Sequence, residues 1–294
     1  MSSAAVDRIA GAPISWGVCE VPGWGYQLAP SRVLTEMREI GLSATEFGPD
    51  GFLPETPAGK AETLAEYGLH GVGGFTPVVL YRADTDPAPL IDQVLDGFEA
   101  VGAKVLVLSA DSGMVGYDAR PELDSQGWAT LLGNLDRLAE LAAARGVKAV
   151  LHPHVGTMVE KGDEVQRVLE NSSISLCLDT GHLLIGGTDP AVLTRQAPER
   201  IAHTHLKDVD ATLAKRVQGG ELTYTEAVGK GMYRILGQGD VDIAGVVQEL
   251  ERNGYDGWYV LEQDTILDEA PSGDGPVSAV QASADYVRSL VAAR

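Results

Sequence analysis

Basic residues are scarce. The 294-residue chain holds 22 Lys and Arg against 42 Asp and Glu, a net charge of −20. Gripping a phosphate backbone draws on clustered Lys and Arg. No basic run stands out, so no nucleic acid is expected as a partner. An anionic membrane surface is disfavoured on the same ground. Long apolar runs are missing too, and nothing approaches the ~18 consecutive apolar residues of a membrane span. The N-terminus, MSSAAVDRIAGAP, lacks a basic segment followed by an apolar one and does not read as a secretory signal. Cys19 and Cys177 are the two cysteines. Two thiols in so long a chain make no disulfide framework, which points to a reducing cytoplasm. Cys177, inside an apolar run, reads as a small buried residue. The expected partner is therefore a neutral small molecule, or a cation held by carboxylates.

Histidine is also rare, yet it is concentrated. Of six in the chain, His152, His154, His182, His203 and His205 fall within residues 147–208, with Asp179 among them. The pairs His152/His154 and His203/His205 are spaced i, i+2, and each ends an apolar run. In a strand those positions share a face. Imidazoles with carboxylates are the usual ligands of a divalent metal, so a metal site built from several strand ends is expected.

Short β-rich runs alternate with longer amphipathic segments. The pattern predicts a first strand over 12–17, a helix capped by Ser31 and stopped at Gly41, and a strand ending at Glu46. A third strand follows over 70–75. Further strands lie over 104–109, 147–152, 174–178, 201–205 and 258–262, and a last helix over 277–292. Eight strand–helix units fit a single (β/α)8 barrel spanning 1–294, with an insertion at about 210–240 after the seventh strand. A doubly wound open sheet is the alternative. It calls for a Gly-rich phosphate loop after the first strand, and 19–25 contains no G-x-G-x-x-G. Functional residues of such barrels lie at the C-terminal strand ends. That rule selects Trp16, Glu46, Phe75, Ser109 or Asp111, His152, His154, Asp179, His182, His205, Lys207 and Glu262.

Each has a plainer reading. Asp179 in LCLDTGH suits a turn or helix cap as well as a metal. Glu262 in YVLEQD would cost several kcal/mol if buried without a partner, and a cation or Lys207 would remove that cost. Lys207 could polarise a substrate oxygen or merely pair with Asp208. Glu160 could overhang the site or serve only as a first-turn acid. Trp16 and Phe75 read as aromatic walls for a sugar-like ring, or as core.

The segments TEFGPDGFLP, LHPHVGTMVE, LCLDTGH, HTHLKDV, ELTYTEAVGKGMYRILGQGDVD and YDGWYVLEQD span nearly the whole chain. Together they resemble the xylose-isomerase-like barrel superfamily of sugar isomerases, epimerases and inosose dehydratases, and within it the inosose (2-keto-myo-inositol) dehydratases. The resemblance implies one divalent metal, Mn2+ or Co2+, held by Asp179, His205 and Glu262. The fourth ligand is His152 or His154, where most epimerases carry a glutamate. It also implies that Glu46, His182 and Lys207 contact the substrate or the ligands. The implied reaction is loss of water from a cyclic ketopolyol through an enediolate. Glu160, His154 or Lys207 would take the α-proton. Barrels of this superfamily are often dimers or tetramers, which implies a homo-oligomer.

A ketose isomerase or epimerase would use the same enediolate, and so would a subunit of a C-glycoside-cleaving enzyme. An abasic-site repair enzyme of the endonuclease IV kind shares the barrel, but it needs several metals and a basic face. A non-catalytic polyol-binding barrel is the remaining reading.

Overall fold

The fold is taken from a computed structural model that describes residues 8–292. Its strands are β1 (Ile9–Gly11), β2 (Ala44–Thr45), β3 (His70–Gly71), β4 (Gly73–Val78), β5 (Val105–Ala110) and β6 (Lys148–Leu151). They continue with β7 (Ser175–Asp179), β8 (Ile201–Leu206), β9 (Asp208–Val209), β10 (Tyr233–Arg234) and β11 (Tyr259–Leu261). Nine of them form one sheet in the order β3-β2-β1-β11-β8-β7-β6-β5-β4, and its pairings are parallel.

The two ends of that order are consecutive pieces of one stave. Val72 separates β3 from β4. Its N–H donates to Thr45 O at 3.0 Å, and its carbonyl accepts from Lys104 N at 3.1 Å. The chain itself thus closes the ring, and counting β3 with β4 leaves eight staves of a (β/α)8 barrel.

Helices wrap the outside with one apolar stripe each. In Ser125–Ala144 the buried positions are Trp128, Leu131, Leu135, Leu138 and Ala142, a 3-4-3-4 spacing. Val277–Ala292 buries Val280, Ala284, Val287 and Val291 the same way. Each fully buried Leu or Val contributes roughly 1.5–3 kcal/mol. Asp124 caps the first of these helices by accepting from Gly127 N at 2.8 Å.

Three local expectations fail. The first strand is Ile9–Gly11 and not 12–17. Pro13 has no N–H for a ladder, and Pro13–Trp16 form a 3-10 turn closed by Gly17 at φ 81°. Ser31 is not a cap, because Pro30 already opens the helix Pro30–Glu39. Phe75 lies inside β4, which runs on to Val78.

The segment after β8 carries the helices Ala211–Gln218 and Tyr224–Gly229, then β10. Strand β10 folds back antiparallel on β9, with Tyr233 opposite Val209. One carboxylate organises its return. Asp208 Oδ1 accepts from Val209 N at 2.9 Å and Val241 N at 3.0 Å. Its Oδ2 accepts from Gly237 N at 2.8 Å and Gly239 N at 2.9 Å. A Cβ at residue 239 would lie 2.2 Å from Asp208 Oδ1, so only glycine fits there.

Candidate metal centre

Asp179 ends β7 and caps the short helix Thr180–Ile185. Its Oδ1 accepts from Gly181 N at 2.9 Å and His182 N at 2.8 Å. Its Oδ2 points elsewhere, 3.1 Å from His152 Nε2, 3.8 Å from His205 Nδ1 and 3.6 Å from Lys207 Nζ. The two oxygens divide the work, so the helix cap and the site coexist in one side chain. His152 follows β6, anchored by its N–H on Leu108 O at 2.8 Å. His205 lies in β8, in register with Asp179 on one side and Val260 on the other. Glu262 follows β11, its Oε2 3.2 Å from His205 Nδ1 and 2.9 Å from Lys207 Nζ. These four side chains come from four adjacent staves. One donor atom each of Asp179, His205 and Glu262 lie within 4.8 Å of one another, and those of His152, Asp179 and His182 do likewise.

A second carboxylate lies behind His205. Glu46 Oε1 accepts from His203 Nε2 at 2.8 Å and from His205 Nε2 at 3.0 Å. With Nε2 so engaged, His205 turns Nδ1 toward Asp179 and Glu262. That Nδ1 is buried, 3.2 Å from Glu262 Oε2, and Nδ1 of His152 is buried without a hydrogen-bond partner.

Electrostatics match this picture. Burial alone would raise Glu46, but the imidazoles of His205 and His203 outweigh it and bring it down to about 2. Burial likewise opposes ionisation of Glu262, and His205 and Lys207 carry it well below the carboxylate range. Asp179 is lowered by Lys207 and His152 against the same burial. Burial drives His152, His154, His182 and His203 downward, toward the neutral form. Burial also works against charge on His205 and Lys207. Cys177, Glu262 and Glu46 raise the first, and Asp264, Glu262 and Asp179 raise the second. His152, kept neutral by burial, beside the ionised Asp179 and Glu262, with His205 Nδ1 turned toward both carboxylates, makes a donor set that fits a divalent cation.

Lys207 leads to a further cluster. Its Nζ lies 2.5 Å from Asp264 Oδ1 and 3.2 Å from His182 Nε2. Tyr224 donates its hydroxyl to Asp264 Oδ2, and Tyr233 OH lies 2.9 Å from Tyr224 OH. Burial raises Asp264, with Lys207 opposing. His154 donates from Nδ1 to Val155 O at 2.7 Å, with its ring 3.6 Å from that of His182 and 4.3 Å from that of Tyr117. Phe75 stands edge-on to His152 at 5.6 Å. From Glu46 to Asp264, the polar residues of this centre are at most 7 % exposed. Over it, Tyr117 donates to the Glu20 carboxylate and so joins two surface loops.

The barrel thus brings together His152, His154, Asp179, His182, His205, Lys207 and Glu262, with Glu46 behind and Phe75 beside them. Two expected residues are engaged with other partners. Glu160 accepts from Gly156 N at 2.9 Å and pairs with Arg120 at 3.3 Å. Trp16 is fully buried, its indole N–H on Glu36 at 2.7 Å. Asp264, Tyr224 and Tyr233 were not foreseen. Asp264 had a signal, since it lies i+2 from Glu262. The tyrosines, in a segment without periodicity, had none.

A family model described as xylose isomerase-like TIM barrel matches residues 34–290. The chain is 33% identical over 267 residues to the rhizopine catabolism protein MocC of Rhizobium meliloti, covering 87% of this chain and 81% of that one. It is 30% identical to an inosose dehydratase of Geobacillus kaustophilus over 301 residues, covering 97% and 94%. Among solved structures, the IolI protein with a bound zinc atom superposes with a TM-score of 0.69 at 14% identity, covering 97% and 98%.

Proposed function

This chain belongs to the xylose isomerase-like TIM barrel family, and we propose that it is a divalent-metal-dependent carbon–oxygen lyase. Its substrate in this reading is inosose (2-keto-myo-inositol) or a related cyclic keto-polyol. The observation that carries the reading is the nearly full-length likeness to an inosose dehydratase.

In this proposal His152, Asp179, His205 and Glu262 hold one cation, Mn2+ or Co2+. His152 is chosen over His154 because its Nε2 faces Asp179, while His154 is turned onto Val155 O. When bound, the cation supplies Lewis-acid polarisation of the ketone oxygen. The chain supplies the rest. His154 commits Nδ1–H to Val155 O and is kept neutral by burial, which makes Nε2 its basic nitrogen. That nitrogen removes the proton next to the ketone. Lys207 stays protonated between Asp264 and Glu262, and its charge stabilises the oxygen that becomes negative. The same proton, handed on to the neighbouring hydroxyl, completes the balance. One C–H and one C–O bond break, a C=C bond forms, and water leaves. Burial of the whole cluster keeps bulk water from reprotonating the carbon.

Incubating the Mn2+-loaded protein with 2-keto-myo-inositol should give a product lighter by one water, the enol of a 1,2-diketone, which absorbs in the ultraviolet. Epimerised ketose without that product would sink the proposal.

A further inference from the structure

The segment between β8 and the helix Ile243–Arg252 does more than cover the barrel mouth. We propose that the hydroxyls of Tyr224 and Tyr233, ordered on the carboxylate of Asp264, form a subsite that recognises hydroxyl groups on the ring of a cyclic polyol. This deepens the functional reading above and takes its ligand class from it.

The hydrogen-bond direction is set by proton count. Tyr224 has one hydroxyl proton and gives it to Asp264 Oδ2. Toward Tyr233, 2.9 Å away, Tyr224 can then only accept, so Tyr233 is the donor. This spends the Tyr233 proton and leaves its oxygen as an acceptor at the end of the chain. A polyol presents an O–H donor on each ring carbon, and an acceptor of this kind is what such a donor needs.

Charge balance does not demand the tyrosines. Lys207 Nζ, 2.5 Å from Oδ1, already pairs with Asp264. The location is also that of a substrate wall. The Tyr224 ring centroid lies 5.7 Å from that of His182 and 6.3 Å from that of His154. Lys207 Nζ, itself on Glu262, lies 5.4 Å from the Tyr233 ring centre. The Asp208 carboxylate pins the returning backbone at Gly237, Gly239 and Val241, which holds β10 and Tyr233 in place. A site built around hydroxyl partners penalises a ligand or variant that lacks one of them.

The test uses Mn2+-loaded protein and myo-inositol, which lacks the ketone and cannot react. Calorimetry gives its affinity for wild type, Tyr233→Phe and Tyr224→Phe, with metal content measured alongside. Each variant should bind myo-inositol about tenfold more weakly, with metal content unchanged. On the keto substrate, Tyr233→Phe should raise KM with little change in kcat. Tyr233 ends the chain of hydroxyls, so this variant carries the test if Tyr224→Phe does not fold. The proposal is overturned if wild type does not bind myo-inositol. It is also overturned if the variants bind as tightly as wild type, or if they lose binding only together with the metal. Weakened variants in a protein that forms no dehydrated product would leave the subsite standing and remove the dehydratase reading.

Discussion

Replacing Glu46 with Leu tests how the proposed metal ligand His205 is held. One oxygen of Glu46 accepts from two buried imidazoles, at 2.8 and 3.0 Å. Leucine strands both Nε2–H donors. Each stranded donor costs about 1–3 kcal/mol, so roughly 2–6 kcal/mol in all. Part is recovered because a carboxylate no longer has to be buried, which leaves a net loss of about 2–4 kcal/mol. For a chain of this size that lowers Tm by roughly 3–6 °C. Without the carboxylate the His205 ring is free to turn or change tautomer, and Mn2+ affinity should fall 10–100-fold, the usual effect of losing such a partner. Glu46→Gln keeps an accepting oxygen and should lose less than about tenfold. Thermal melting of the metal-free protein and calorimetric titration with Mn2+ read the two effects separately. A Leu variant that melts earlier yet binds Mn2+ like wild type would refute the orienting role. An unchanged Tm would refute the stranded donors. The pH sign follows from the same geometry. Glu46 ionises at about 2 in the fold against an ordinary 4.5. Its stabilisation of the metal-free protein is present above pH ~4.5 and is lost as pH falls toward ~2. Glu46→Gln should flatten that acid limb.

Three other outcomes are expected. His152→Ala should reduce Mn2+ affinity by about 100-fold or more. His154→Ala should leave affinity within about tenfold and cut turnover 10²–10⁴-fold, the range for a lost general base, so the reverse pattern would exchange their roles. Asp208→Ala removes the acceptor of four backbone N–H groups and should cost roughly 3–5 kcal/mol after some of them find water. Hydrogen exchange should then quicken at 237–241 with Mn2+ affinity nearly unchanged. In the metal-free protein, burial lowers His152, His154, His182 and His203. Depressed values mean that the unfolded chain takes up protons first, so stability is full above pH ~6.5 and falls below it by up to about 1.4 kcal/mol per unit for each group. His205, raised, adds stability as pH falls toward ~6.5 and nothing further below it. Urea unfolding between pH 7 and 5 measures the balance.

The barrel was legible because parallel staves buried on both faces read as short apolar runs between helical stripes. The residues closing those runs stood out for the same reason, and His152, Asp179, His205 and Glu262 do meet. The first stave escaped because it is three residues long and Pro13 sits beside it. Glu46 was visible as a strand end, but its partners are 157 and 159 residues away. Nothing local says that two imidazoles share its oxygen. Glu160 looked free because Arg120, which holds it, lies in a loop without pattern. Asp179 allowed two readings because sequence does not reveal that its two oxygens face different ways.

The depth of the centre also bears on rates. Its polar groups are shut beneath Tyr117, whose bond to Glu20 ties two loops across the top. Passage beneath Tyr117 calls for those loops to part. Removal of a bound ion by a chelator should therefore level off as chelator is added, at the frequency of loop opening. In such a vessel the chemistry at His154 and the turnover of the protein need not share a clock, and the slower one is set by the lid of the barrel and not by its floor.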